Sequence, residues 1–96
     1  MAKYQLRFDE DALKEWRRLD NSVRQEFKTA LERRLEDPVI ESARLSGELS
    51  HCFKIKSKKS GYRLIYTVER NILIVTVIAI GKREALSAYM KAKKRI

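Results

Sequence analysis

The chain has 96 residues, 44% hydrophobic and 36% charged, with a formal net charge of +9. That is enough for one domain with a modest core, too little for two, and too apolar for a disordered segment. The charge is uneven: residues 1–48 hold 10 Lys/Arg and 11 Asp/Glu, residues 49–96 hold 12 and 2, so the C-terminal half carries the whole excess and predicts a face for a polyanion.

Lys3 to Phe8 alternates, with Tyr4, Leu6 and Phe8 on one side, and reads as a first strand. Asp9 is placed to cap a helix whose first turn is acidic and whose apolar stripe is Ala12, Leu13, Trp16 and Leu19. Ser22-Val23-Arg24-Gln25 has capping-box form for a second helix, striped by Val23, Phe27, Ala30, Leu31 and Leu35 and stopped by Pro38. The short link between them predicts an antiparallel helical hairpin. Val39 to Ser50 is an aperiodic connector with a turn at Gly47.

Cys52 to Tyr66 then alternates, turns at Lys59-Ser60-Gly61, and alternates again, the pattern of a β-hairpin. Hydrophobic matching pairs Lys56 with Arg63, Ile55 with Leu64, Lys54 with Ile65 and Phe53 with Tyr66. Phe53, Ile55, Leu64, Tyr66 and Val68 then share the core face, and Lys54, Lys56 and Arg63 the other. A second tight turn at Arg70-Asn71 leads into Ile72 to Ile80, a strand apolar on both sides and so expected to be central and covered on both faces. That turn sets Leu64 across from Val77 and Arg63 across from Ile78, with Arg83 folding back beside Arg63 and Lys56. Gly81 ends the strand. Glu84 to Lys94 reads as a last helix with Ala85, Leu86, Tyr89 and Met90 on one face. Residues 1–96 thus form a single α+β domain in the order β-α-α-β-β-β-α. A helical hairpin packs on a small, mostly antiparallel four-stranded sheet, followed by a C-terminal helix.

A lone cysteine, Cys52, excludes an intramolecular disulfide and fits a reducing compartment. The N-terminal Met-Ala-Lys-Tyr-Gln has no signal-peptide apolar region, and the longest apolar run is far short of the roughly 20 residues of a membrane helix. A soluble, cytoplasmic protein without membrane association is expected. His51 and Cys52 are adjacent, and neighbouring strand residues point to opposite faces, so both read as structural.

Cations opposed across a hairpin have Cβ atoms roughly 4.5–5.5 Å apart and repel one another, so they ask for an anion. Gly-rich phosphate loops, zinc spacings and paired carboxylates in the basic half are all absent from the sequence. Lysines and arginines can still cleave RNA, because RNA brings its own nucleophile in the 2′-OH. Arginines stabilise the charge that builds on phosphorus, and a lysine among cations has its pKa lowered towards that of a base. On alternation alone, a solvated outer hairpin face is the better explanation of Lys54, Lys56 and Arg63.

The motifs favour the chemical reading. Phe8-Asp9-Glu10, Ala12-Leu13-Lys14-Glu15-Trp16, Lys54-Ile55-Lys56, Ser60-Gly61-Tyr62-Arg63-Leu64-Ile65-Tyr66, Gly81-Lys82-Arg83-Glu84 and Tyr89 closely resemble the RelE toxins of bacterial toxin–antitoxin pairs. Order and spacing match over nearly the whole chain. The resemblance implies the RelE-like microbial ribonuclease fold and a metal-independent endoribonuclease, an mRNA interferase that needs no cofactor. Such an enzyme cuts mRNA in the A site of the small ribosomal subunit, leaves 2′,3′-cyclic phosphate and 5′-OH ends, and inhibits translation. By matching motif the catalytic residues are Lys54, Lys56, Arg63, Arg83 and Tyr89. Lys56 is then the base for the 2′-OH, assisted by Lys54. Arg63 holds the scissile phosphate, Arg83 stabilises or protonates the leaving 5′-oxygen, and Tyr89 stacks on or orients the mRNA. Arg44, which stands in for a basic residue that relatives carry beside Gly47, together with Lys58, Lys59 and Lys82, is expected to contact RNA. A RelB-like antitoxin, the ribosome and mRNA are the implied partners. Two alternatives remain: a ParE-like inhibitor of DNA gyrase, and a non-catalytic ribosome- or RNA-binding domain.

Overall fold

In the computed structural model, which describes residues 3–82 and 87–96, the order of elements is the expected one. Strand β1 (Gln5–Phe8) leads into helices α1 (Glu10–Arg18) and α2 (Asn21–Arg34). Strands β2 (Cys52–Lys56), β3 (Tyr62–Glu69) and β4 (Ile74–Lys82) follow, and helix α3 (Ser87–Arg95) closes the chain. The connector forms two short 3₁₀ turns, Glu41–Ala43 and Gly47–Leu49. The sheet order is β1-β4-β3-β2; β1 runs parallel to β4 and the other pairs are antiparallel. No helix among the described residues is long and apolar enough to cross a membrane.

Asp9 caps α1 as expected, its carboxylate accepting from the N–H groups of Asp11 (3.0 Å) and Ala12 (3.2 Å). The start of α2 differs from expectation. Asp20, not Ser22, occupies the N-cap position, without a side-chain capping bond, and Ser22 lies inside the first turn. Arg24 donates to the Leu19 carbonyl at 2.7 Å and ties the two helices at their junction.

The two faces of the sheet carry separate cores. Against α1 and α2 pack large side chains, including Phe27, Leu31, Phe53, Leu64, Tyr66, Val75 and Val77. Full burial of one such side chain contributes about 1.5–3 kcal/mol. Buried Tyr66 also anchors the end of α2: its hydroxyl donates to the Pro38 carbonyl (2.8 Å) and accepts from Arg34 (2.6 Å). Burial pushes the Tyr66 phenol pKa up, and the Arg34 guanidinium offsets this only in part. The opposite face packs Cys52, Ile65, Ile78 and Ala79 against α3, which buries Ala88 and Ala92. Those two methyl groups are worth about 0.8 kcal/mol each. Burial likewise raises the Cys52 thiol, to about 11, a value that suits an inert core thiol rather than a nucleophile.

The apolar face of α3 is a second correction. Met90, expected inside, is 60% exposed, and the buried face is Ala88 with Ala92. Ala85 and Leu86 lie outside the described residues. Small residues one helical turn apart let α3 approach the sheet closely, a stripe that a pattern of large apolar residues does not reveal.

Candidate active site

The β2–β3 register is the predicted one: Lys56 lies opposite Arg63, Ile55 opposite Leu64, Lys54 opposite Ile65 and Phe53 opposite Tyr66. At the hairpin tip Gly61 adopts φ +75°, a left-handed conformation that glycine takes without a Cβ penalty. The tip is also held from outside. Glu26 of α2 accepts from the Ser57 hydroxyl (2.7 Å) and the Lys58 N–H (3.1 Å), and Ser57 Oγ accepts from the Ser60 hydroxyl (2.7 Å). No signal in the sequence marks Glu26 as the clamp of a turn more than 30 residues away. Lys56, Ser57, Lys58, Gly61, Tyr62 and Arg63 line a depression of about 190 Å³ at this tip.

The β3–β4 register corrects the prediction. The turn spans Arg70 to Leu73, with Leu73 rather than Asn71 in the left-handed region (φ 56°), so that Glu69 pairs with Ile74. A bulge follows where Ile65 pairs with Ala79 but Tyr66 pairs with Val77. Turn and bulge together place Arg63 opposite Gly81 and Leu64 opposite Ile80, not Ile78 and Val77. The strand also begins two residues later than expected and runs through Gly81 to Lys82. The expected register rests on a two-residue turn, and a strand apolar on both faces has no alternation that would correct it. The bulge matters to the site, since it puts Arg63 across from a residue only two positions before Arg83. Arg83 itself lies outside the described residues.

Arg63, Lys54 and Lys56 share the sheet face that α3 covers, but their exposures differ. Lys56 is exposed, Lys54 half-buried, and Arg63 buried with 7% of its surface accessible. Arg63 donates from one Nη to the Tyr89 hydroxyl at 3.0 Å, while its Nε is buried with no hydrogen-bond partner. No carboxylate within salt-bridge distance compensates Lys54, Lys56 or Arg63 among the described residues. A buried guanidinium with a free donor and no counter-ion is costly unless an anion arrives. A solvated outer face therefore describes Lys56 but not Arg63. Tyr89, half-buried on α3, joins the cluster through that hydroxyl.

The further RNA contacts expected from the sequence are scattered. Lys58 and Lys59 are exposed at the hairpin tip. Lys82 pairs with Tyr62 and lies over its ring at 5.6 Å, on the opposite sheet face from Arg63 by strand alternation. Arg44 is engaged structurally: it grips Glu41 through two bonds of 2.8 and 2.9 Å, donates to the Ser50 carbonyl and lies over the Phe53 ring at 4.7 Å. Its guanidinium keeps the exposed Glu41 carboxyl below the usual range. His51 is exposed while Cys52 is buried, as expected for residues without a shared role.

At the far side of α3 the sheet edge is completed by side chains. β1 pairs with β4 only as far as Phe8 and Val77, leaving later backbone groups of β4 without a neighbouring strand. Glu15 of α1 accepts from the Ile80 N–H at 3.1 Å. Arg95 donates to the Ile78 carbonyl (2.9 Å) and Lys91 to the Ile80 carbonyl (3.1 Å). Both cations also bind Glu15, Arg95 through two bonds of 2.9 and 3.0 Å and Lys91 at 2.8 Å. Burial alone would raise the Glu15 carboxyl, but the bonds from Arg95, Lys91 and Ile80 outweigh it and hold the pKa below its ordinary value. The only sequence hint of this clasp is charge balance, since the basic last helix needs acids and they lie in the first half.

This fold is that of a known toxin class. The family model that describes the ParE toxin of type II toxin–antitoxin systems matches residues 6–86, and the chain belongs to this RelE/ParE family. Within it the chain is a RelE-type member. It is 50% identical to the mRNA interferase toxin RelE of Escherichia coli K12 over 93 residues, 97% of each chain. It also superimposes on a mutant of E. coli RelE in the free state with a TM-score of 0.88, at 49% identity, covering 100% of this chain and 99% of that one. The toxin of the intact E. coli RelBE toxin–antitoxin complex matches at TM-score 0.79 and 49% identity, over 82% of this chain and 95% of that one.

Proposed function

We propose that this chain is an mRNA interferase: a ribosome-dependent, metal-independent endoribonuclease that cuts mRNA in the A site. The observation that carries this reading is the Lys56–Arg63 pair. Two cations lie directly opposed on a rigid hairpin, one exposed and one buried with an unpartnered Nε, where a phosphate would satisfy both. A half-identical relative bears the name mRNA interferase.

In the reaction the 2′-oxygen attacks the adjacent phosphorus while its proton passes to the Lys56 amine, which Lys54 assists. The bond from phosphorus to the 5′-oxygen breaks, leaving a 2′,3′-cyclic phosphate and, after protonation, a 5′-OH. Arg63 keeps free donors for the phosphate while one Nη stays on Tyr89, so its fork is oriented before substrate arrives. Arg83 stabilises or protonates the departing oxygen. Tyr89, tied to Arg63, offers its ring to the mRNA base. Lys58 and Lys59 at the tip, with Arg44 and Lys82, supply charge for RNA. A RelB-like antitoxin neutralises the toxin; solved relatives include a complex with such an antitoxin.

Primer extension on a reporter mRNA in a purified translation system tests the reading. Cuts inside codons that need ribosomes, persist in EDTA and vanish in Lys56→Ala are expected. Intact mRNA alongside growth arrest in cells would overturn it and point to gyrase, the target implied by the ParE resemblance. Graded, salt-dependent ribosome binding without any cut would indicate a binding domain.

A further inference from the structure

We infer that Glu15 is a positioning residue for the cleavage site: its carboxylate clasps α3 against β4 and thereby seats Tyr89 on Arg63. The inference rests on the nuclease reading. It comes from a site-remote acid whose partners all belong to the element that carries Tyr89 or to the strand beneath it.

Three observations combine. First, among the described residues α3 fully buries only two small side chains, Ala88 and Ala92, with Tyr89 partly buried beside them, so apolar contact holds it less firmly than the large side chains hold α1 and α2. Second, the polar contacts are many and directional. Lys91 and Arg95 each bind both Glu15 and a β4 carbonyl, and Glu15 also accepts from the Ile80 N–H. Arg95 and Glu15 side chains are only 16% and 15% exposed, so water screens the pair little. Third, the clasp and the site share the same short stretches. Lys91 lies two residues after Tyr89 in α3, and Ile80 directly precedes Gly81, which pairs with Arg63. A small slide or tilt of α3 would therefore open the 3.0 Å Tyr89–Arg63 bond before it exposed any large apolar surface. Glu15 touches neither the Lys54–Lys56–Arg63 cluster nor Tyr89; it acts through the helix.

The test is a double-mutant cycle of single-turnover mRNA cleavage on programmed ribosomes, using the full chain. Glu15→Gln should lower the maximal rate between about 10- and 100-fold, the scale of a misplaced reacting group, with the toxin concentration for half-maximal rate unchanged. In a Tyr89→Ala background the same substitution should cost less than about twofold, because the group it positions is gone. Hydrogen exchange should show faster amides in residues 87–95 and unchanged ones in α2. Arg95→Gln approaches the clasp from its other side, should reproduce the loss, and carries the test if Glu15→Gln does not fold. A wild-type rate in Glu15→Gln, or equal losses in both backgrounds, would overturn the inference while leaving the nuclease reading intact. A wild-type chain that cuts no mRNA would remove both.

Discussion

The two faces of one sheet are built on opposite principles. The α1/α2 face is packed with large apolar side chains and contains no candidate catalytic group among the described residues. The α3 face has a smaller core, in which Leu49, Ile65 and Ile78 meet three alanines and Cys52; it is pinned at its edge by ion pairs and holds Arg63 and Tyr89. The large apolar core and the cationic cluster are thus kept apart by the thickness of a sheet. A buried cation is tolerable on the second face because the first supplies the surplus that offsets it.

Each face can be weakened separately. Phe27→Ala should cost about 3–5 kcal/mol in urea unfolding, whereas Ala92→Gly, through helix propensity and one lost buried methyl, should cost only about 2 kcal/mol. Equal losses would mean that α3 carries more of the fold than its packing indicates. Next, Arg63→Ala should reduce cleavage by roughly 10²–10³-fold, the typical effect of losing one preorganised donor to developing charge. Its urea midpoint should be unchanged or raised, since an uncompensated buried cation has gone. A large drop in midpoint would make Arg63 a structural residue instead.

A smaller effect separates the faces by pH. The folded pKa of Glu15 is depressed, so the carboxylate binds a proton less readily folded than unfolded. Its stabilising contribution is fully present above the unfolded value, roughly 4.3. It is lost as pH falls through the folded value. As pH falls below the unfolded value and through the folded one, wild type should therefore lose more stability than Glu15→Gln, and exchange in α3 should rise before exchange in α2. A parallel loss in both proteins would place the acid sensitivity elsewhere.

How much of this was legible in the sequence follows from the same contrast. The β2–β3 hairpin could be read to the residue because its alternation and its Gly61 turn agree, and with it came the juxtaposition of Lys56 and Arg63. The β4 register could not, because Ile74 to Ile80 is apolar on both faces and neither the Leu73 turn nor the bulge leaves a pattern. Arg63 was placed on the right face, but alternation cannot say that a helix some 25 residues later in the chain covers that face. The motif names Tyr89 as a candidate, whereas its contact with Arg63, the Glu26 clamp and the Glu15 clasp are long-range side-chain pairings that local periodicity does not encode.

On the nuclease proposal, the cationic cluster on the α3 face cleaves RNA by using the nucleophile RNA brings with it. The most direct measurement is cleavage of ribosome-bound mRNA carrying a single 2′-deoxyribose at the scissile nucleotide of the A-site codon. This message should not be cut at that position, while the all-ribose message should be cut to a 2′,3′-cyclic phosphate. Cleavage of the deoxy-substituted message at the same bond would contradict the proposal.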